Sequence, residues 1–222
     1  MYSYSSISTS IDPKLSIPNT FLRQDTDTDK LAMILPGLNY TCDMPLLYYS
    51  TQVMLSGGAD VVQVKYDYSQ TQTRQASSLT ERFSQMKADV TQMVQVALQQ
   101  RSYKHLTLIG KSLGTLAIPY LLDANLPIQP QTCIFLTPIL SELMPALGLI
   151  QQCPHTLYVI GTQDHYYDPD LISHFRTTNP DNFMIIEGIN HSLEVPGKIL
   201  LSLSKLETMI QKFDMFIRGT NP

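Results

Sequence analysis

The chain has 222 residues, a mass of 25.0 kDa and a formal charge of −4 at pH 7, from 15 Lys+Arg against 19 Asp+Glu. That length suits one compact domain, and a fold of this mass buries about 70% of the surface of its unfolded chain, enough for a core without disulfide or metal staples. Only 15% of residues are charged and the balance is acidic, so the electrostatic footprint of a nucleic-acid or anionic-membrane binder is missing.

Residues 1–29 are polar, with weak strand signals around Ser3 to Ile11, and are expected to add at most edge strands to a single domain spanning 1–222. The opening Met-Tyr-Ser-Tyr-Ser-Ser has neither the basic nor the apolar stretch of a signal peptide. The most apolar segment, 132–150, is broken by Pro138, Glu142 and Pro145, so no membrane span is expected. Short apolar runs follow at Leu31 to Leu35, Val61 to Val64, Leu106 to Ile109, Cys133 to Leu136, Leu157 to Ile160 and Phe183 to Ile186. Each is too short for a helix and ends in Gly, Pro or polar residues, which predicts strands.

Between the second and third runs, Leu79, Phe83, Met86, Val90, Val94 and Ala97 recur at steps of three and four, the core-facing stripe of a helix. The interval 138–155 has room for one short helix, Ser141 to Leu149. A last stripe, Ile199, Leu203, Leu206, Ile210, Phe213 and Ile217, predicts a C-terminal helix, with Pro196 where a first turn tolerates it. Near-continuous apolar strands separated by helices pair in parallel and are covered on both faces. The expected fold is therefore α/β, a doubly wound, mostly parallel sheet with helices on both faces, and reactive groups belong at the carboxyl ends of its strands. Cys42, Cys133 and Cys153 form no C-x-x-C pair, which predicts reduced, buried thiols and a cytoplasmic monomer or small homo-oligomer.

The run Leu106 to Ile109 leads into Gly110-Lys111-Ser112-Leu113-Gly114 and then a helical stretch, Thr115 to Leu122. A G-x-S-x-G between strand and helix makes a sharp turn. Its serine sits on strained backbone, and the positions two residues either side must be tiny so that strand and helix can approach. The turn lifts the Ser112 hydroxyl out of the sheet and aims the unpaired N–H groups of the helix start at an oxyanion formed there.

A serine hydroxyl needs a base to take its proton and a third group to orient that base. Of the five histidines, His105 opens a strand, His155 precedes one, and His165 and His174 flank or lie within a helical stretch. His191 alone follows the last strand, in Gly188-Ile189-Asn190-His191-Ser192. Gly161-Thr162-Gln163-Asp164 supplies an acid after another strand. Asp168 is a rival acid, although before Pro169 it also suits a helix cap; Glu187 is a second rival, or a solvated carboxylate. Lys111 reads as scaffolding or as a contact for an acidic substrate group. His165 beside Asp164 suggests a metal, but no second histidine stands at ligand spacing and no ligand cluster is evident, so no metal is expected.

The elbow and the order Ser112, Asp164, His191 make the chain resemble the α/β-hydrolase superfamily, of the small serine-hydrolase type without a cap, from Leu31 to about Ile217. The resemblance implies Ser112 as nucleophile, Asp164 as acid and His191 as base. It implies oxyanion N–H groups from Leu113 and from the loop Leu35-Pro36-Gly37-Leu38-Asn39-Tyr40, there Leu38, although many relatives carry His-Gly where this chain has Pro36-Gly37. It implies no cofactor.

Tyr40, Pro138, Ile139, Tyr166, Tyr167 and Ile189 follow strand ends and are expected at the mouth of the site, unless they merely anchor loops. The expected function is hydrolysis of a small or extended carboxylic ester or thioester, with a small-molecule substrate. The rival is a hydrolase scaffold used as a ligand receptor or partner-binding protein, which has no need of an aligned serine, acid and histidine.

Overall fold

The computed structural model describes residues 1–8, 19–65, 79–177 and 182–219, and the side chains of all of these except 79–85. Among the described residues eight strands form one sheet: β1 (Tyr2–Ile7), β2 (Asn19–Gln24), β3 (Lys30–Leu35), β4 (Asp60–Gln63), β5 (His105–Lys111), β6 (Thr132–Leu136), β7 (His155–Gly161) and β8 (Phe183–Ile186). Their order across it is β1-β2-β4-β3-β5-β6-β7-β8. The six strands from β4 to β8 in this order are parallel, and β2 and β1 add antiparallel at one edge. The polar N-terminal stretch thus supplies two edge strands; positions 9–11 of its strand signal lie outside the described residues.

The parallel strands read as unbroken apolar runs because both of their faces are covered. In β3, Leu31, Met33 and Leu35 join one core layer, while Ala32 and Ile34 join the other. The first layer is completed by α2 (Leu79–Leu98), α3 (Ala117–Leu122) and α6 (Pro169–Arg176), the second by α1 (Pro45–Ser56) and α7 (Ile199–Arg218). Met86, Val90, Val94 and Ala97 of the α2 stripe are buried; the side chains of Leu79 and Phe83 lie outside the described ones. All three cysteines are free and buried, and although far apart in sequence, Cys153 and Cys133 meet with Sγ atoms 3.4 Å apart.

Three expectations change. The single helix Ser141 to Leu149 is instead two single turns, α4 (Leu140–Leu143) and α5 (Leu147–Ile150), joined by a tighter turn at Met144–Ala146. Pro145, with no N–H to donate, interrupts it. The C-terminal helix starts only at Ile199, so Pro196 precedes it, separated by Gly197 with φ of 72°. The apolar stripe of α7 is also not buried throughout: Ile199 is 77% and Leu203 56% exposed, whereas Phe213 is 3%. A helix of 20 residues is about 30 Å long, longer than the strands it covers, and its first turns overrun them. Among the described residues no helix is long and apolar enough to cross a membrane.

Candidate active site

After β3 the chain returns through α1 on one face of the sheet, and after β5 through α3 on the other. Sheets of this kind place their ligands where connections part in this way, and here that switch point lies between the loop after β3 and the turn after β5. At that turn Ser112 has φ of 50°, a left-handed backbone rarely adopted by a residue with a side chain. A tight turn, Ser112–Leu116, runs on into α3, and the Thr115 hydroxyl donates to the Ser112 carbonyl at 2.6 Å. A Cβ on Gly110 would lie 2.6 Å from the Gly114 carbonyl oxygen, and one on Gly114 would run into the carbonyl of Leu35. Both glycines are therefore set by backbone packing. On the β3 side a Cβ at Gly37 would sit 3.2 Å from the Ser112 Cβ, so the loop carrying Leu38 lies directly against the serine.

The turn after β7 and the loop after β8 are held together by their own backbones. Thr162 N–H donates to the Ile186 carbonyl and Gln163 N–H to that of Ile189, each at 3.0 Å, and Gly188 N–H donates to the Thr162 hydroxyl at 3.0 Å. Within the second loop the Asn190 side-chain oxygen accepts N–H bonds from Ser192 at 2.9 Å and Glu194 at 3.1 Å. That closure holds His191, which lies between Asn190 and Ser192. His191 Nδ1 stands 2.9 Å from each Asp164 carboxylate oxygen, and its Nε2 stands 2.8 Å from Ser112 Oγ. The Asp164 side chain is fully buried and also accepts the Tyr166 N–H at 2.9 Å, while the imidazole is 24% exposed. Asp168 instead caps α6, accepting the N–H groups of Asp170 and Leu171, and Glu187 is exposed.

Gly161 is a further residue that shapes the candidate site, signalled in the sequence only by the G-x-x-D at a strand end. A methyl there would run into the Ile189 carbonyl, pushing the Asp164 turn away from the His191 loop. Gly161→Ala is expected to lower stability by about 1–3 kcal/mol and to reduce turnover more than that loss of folded protein explains. Thermal melts and kinetics on the residual folded fraction check it.

The expected rim is partly corrected. Ile189 is fully buried and Pro138 is buried as well, because the loops carrying them fold back onto the sheet. Tyr40, Ile139 and Tyr167 are half-buried against the core, and the Tyr40 hydroxyl accepts the Leu46 N–H at 3.2 Å. Tyr166 stands edge-on to His191, with ring centroids 5.3 Å apart. The expectation that no cluster of ligand-type groups forms around His165 and Asp164 is also corrected. His165 Nδ1 lies 3.9 Å from Asp164 Oδ1, and Asp164, His165 and His191 bring ligand-type atoms within 4.8 Å of one another. Two of those groups are already bonded to each other. A cavity of about 340 Å³ lies at the opposite end of the sheet, beside Lys30, His105, Thr107 and Thr132.

No family model matches the chain, and no curated protein matches its sequence. Solved structures do resemble it over nearly their whole length. A dienelactone hydrolase from Anabaena variabilis aligns with a TM-score of 0.69 at 14% identity, covering 98% of each chain. An α/β serine hydrolase without a lid from Xanthomonas campestris aligns at 0.67 and 14%, covering 99% of this chain and 96% of its own. An esterase from Pyrococcus furiosus aligns at 0.65 and 14%, covering 98% and 91%. At such identities it is the fold that is shared, and that fold is the α/β-hydrolase fold.

Proposed function

We propose that this chain, built on the α/β-hydrolase fold, is a serine hydrolase that cleaves small or extended carboxylic esters or thioesters through an acyl-serine intermediate. The observation that carries the reading is the unbroken line of hydrogen bonds from Ser112 Oγ through His191 to buried Asp164. A ligand receptor has no use for it.

In the proposed reaction Ser112 Oγ attacks the carbonyl carbon while its proton passes to His191 Nε2. Asp164 accepts the Nδ1–H bond, fixing the tautomer and stabilising the imidazolium. The carbonyl oxygen becomes an oxyanion held by the backbone N–H groups of Leu113 and Leu38. His191 then gives its proton to the departing alkoxide or thiolate, leaving the acyl group on Ser112. Water, deprotonated by His191, repeats the attack and returns the serine with release of the acid. Tyr166, beside the imidazole, is the rim residue best placed to meet the acyl or alcohol portion, with Tyr40, Ile139 and Tyr167 as packed walls behind it. No step calls for a cofactor, and the substrate is a small molecule.

Fluorophosphonate labelling of the purified protein, with a panel of p-nitrophenyl esters and acyl thioesters of graded chain length, tests the reading. Labelling and turnover of at least one ester class are expected; a folded protein inert to both overturns it.

A further inference from the structure

Lys111 ends β5 immediately before Ser112, and its side chain is 1% exposed. Such burial is rare for lysine without partners. Its Nζ donates to Thr137 Oγ1 and to the backbone carbonyl of His191, each at 3.0 Å, and lies over the Tyr40 ring, 4.5 Å from its centroid. One ammonium at the end of β5 therefore ties together residues after β3, β6 and β8. Thr137 is itself in the left-handed region, with φ of 46°, and its N–H donates to Val159 at 2.7 Å. A β-branched residue in that conformation is strained, and here the strained turn carries the hydroxyl that meets Lys111.

Resting on the serine-hydrolase reading, we propose that Lys111 is a positioning residue: its buried ammonium holds the His191 carbonyl, and through it the imidazole, in line with Ser112. Among the described residues the charged and titratable groups around it are few. Asp164 on the β7 turn is the carboxylate that acts on its charge, with His165 beside that carboxylate. Tyr40 comes from the β3 loop; burial pushes its titration up, the Leu46 N–H bond opposes this and Glu194 nearby adds to it. Burial lowers the Lys111 ammonium itself to about 8, against the opposing pull of Asp164.

The signs for rate and stability differ. Below pH 8 the ammonium is charged and the clamp is complete. Above it, a neutral amine donates more weakly and loses its attraction to the Tyr40 face, so the rate falls. An unfolded chain keeps its lysine protonated to a higher pH, so loss of the proton in the fold makes Lys111 contribute stability as pH rises above 8. Alkaline loss of rate from this source is thus not unfolding.

The test is the fluorophosphonate labelling rate and ester kinetics of wild type, Lys111→Met and Lys111→Gln from pH 6 to 9.5, with thermal midpoints at each pH. Wild type should decline above pH 8 without a lower midpoint. Lys111→Met should lose about 10²-fold in kcat, the scale of a displaced catalytic group, with KM little changed and no alkaline decline. Lys111→Gln, which keeps a neutral donor, should recover part of that rate and also show no decline. Variants that keep the wild-type rate, or the wild-type alkaline limb, overturn the inference while leaving the serine-hydrolase reading intact. If neither variant folds, the wild-type profile decides, and a rate flat from pH 8 to 9.5 overturns the inference. A wild type that never labels overturns both readings.

Discussion

Ser112→Ala is expected to abolish fluorophosphonate labelling and to lower ester turnover by about 10⁶-fold, the scale set by removing such a nucleophile. The fold should survive. The exchange deletes one hydroxyl from a half-buried turn, and that turn is set by Gly110 against Gly114, Gly114 against Leu35 and the Thr115 hydroxyl on the Ser112 carbonyl, none of which needs Ser112 Oγ. Alanine still has to adopt φ of 50°, a strain serine already bears, so the thermal midpoint should move little. Wild-type turnover in this variant would show that the chemistry, if any, occurs elsewhere.

The second large effect separates two aspartates four residues apart. Asp164→Asn keeps the size of the side chain but presents an amide to His191 Nδ1, favouring the wrong tautomer. Turnover should fall by about 10⁴-fold, the cost of the same exchange in a serine protease triad. Asp168 receives two N–H bonds at the start of α6, and asparagine caps a helix about as well as aspartate. Asp168→Asn should therefore leave kcat/KM near wild type. The reverse pattern would move the acid to the later position and leave the Asp164–His191 bond without a catalytic role.

The alternation of runs and stripes made the parallel sheet and its two helical layers legible, because strands covered on both faces must be apolar throughout. The candidate site was legible where local backbone demands a residue type: glycines two places either side of Ser112, an acid in the turn after β7, a histidine in the loop after β8. What stayed hidden depends on which strands are neighbours. The approach of His165 to His191, the passage of Lys111 to the His191 carbonyl and the packing of Gly161 on Ile189 all join segments distant in sequence. Ile189 was misjudged for a related reason, since nothing in the order of residues after β8 says which of them turns back into the core. The start of α7 was misjudged because periodicity gives the face of a helix but not where the sheet beneath it stops.

The central claim is a covalent one, that an acyl group resides on Ser112 during turnover. It is tested most directly by mixing the protein with an activated p-nitrophenyl ester, quenching in acid within the first turnovers and mapping the digest by mass. The account predicts one added acyl mass per chain on the peptide containing Ser112, absent from Ser112→Ala and lost with time as water completes the cycle. Ester hydrolysis without any adduct, an adduct on another residue, or no hydrolysis across the chain-length panel would contradict it, and the last of these would return the scaffold to the role of a receptor.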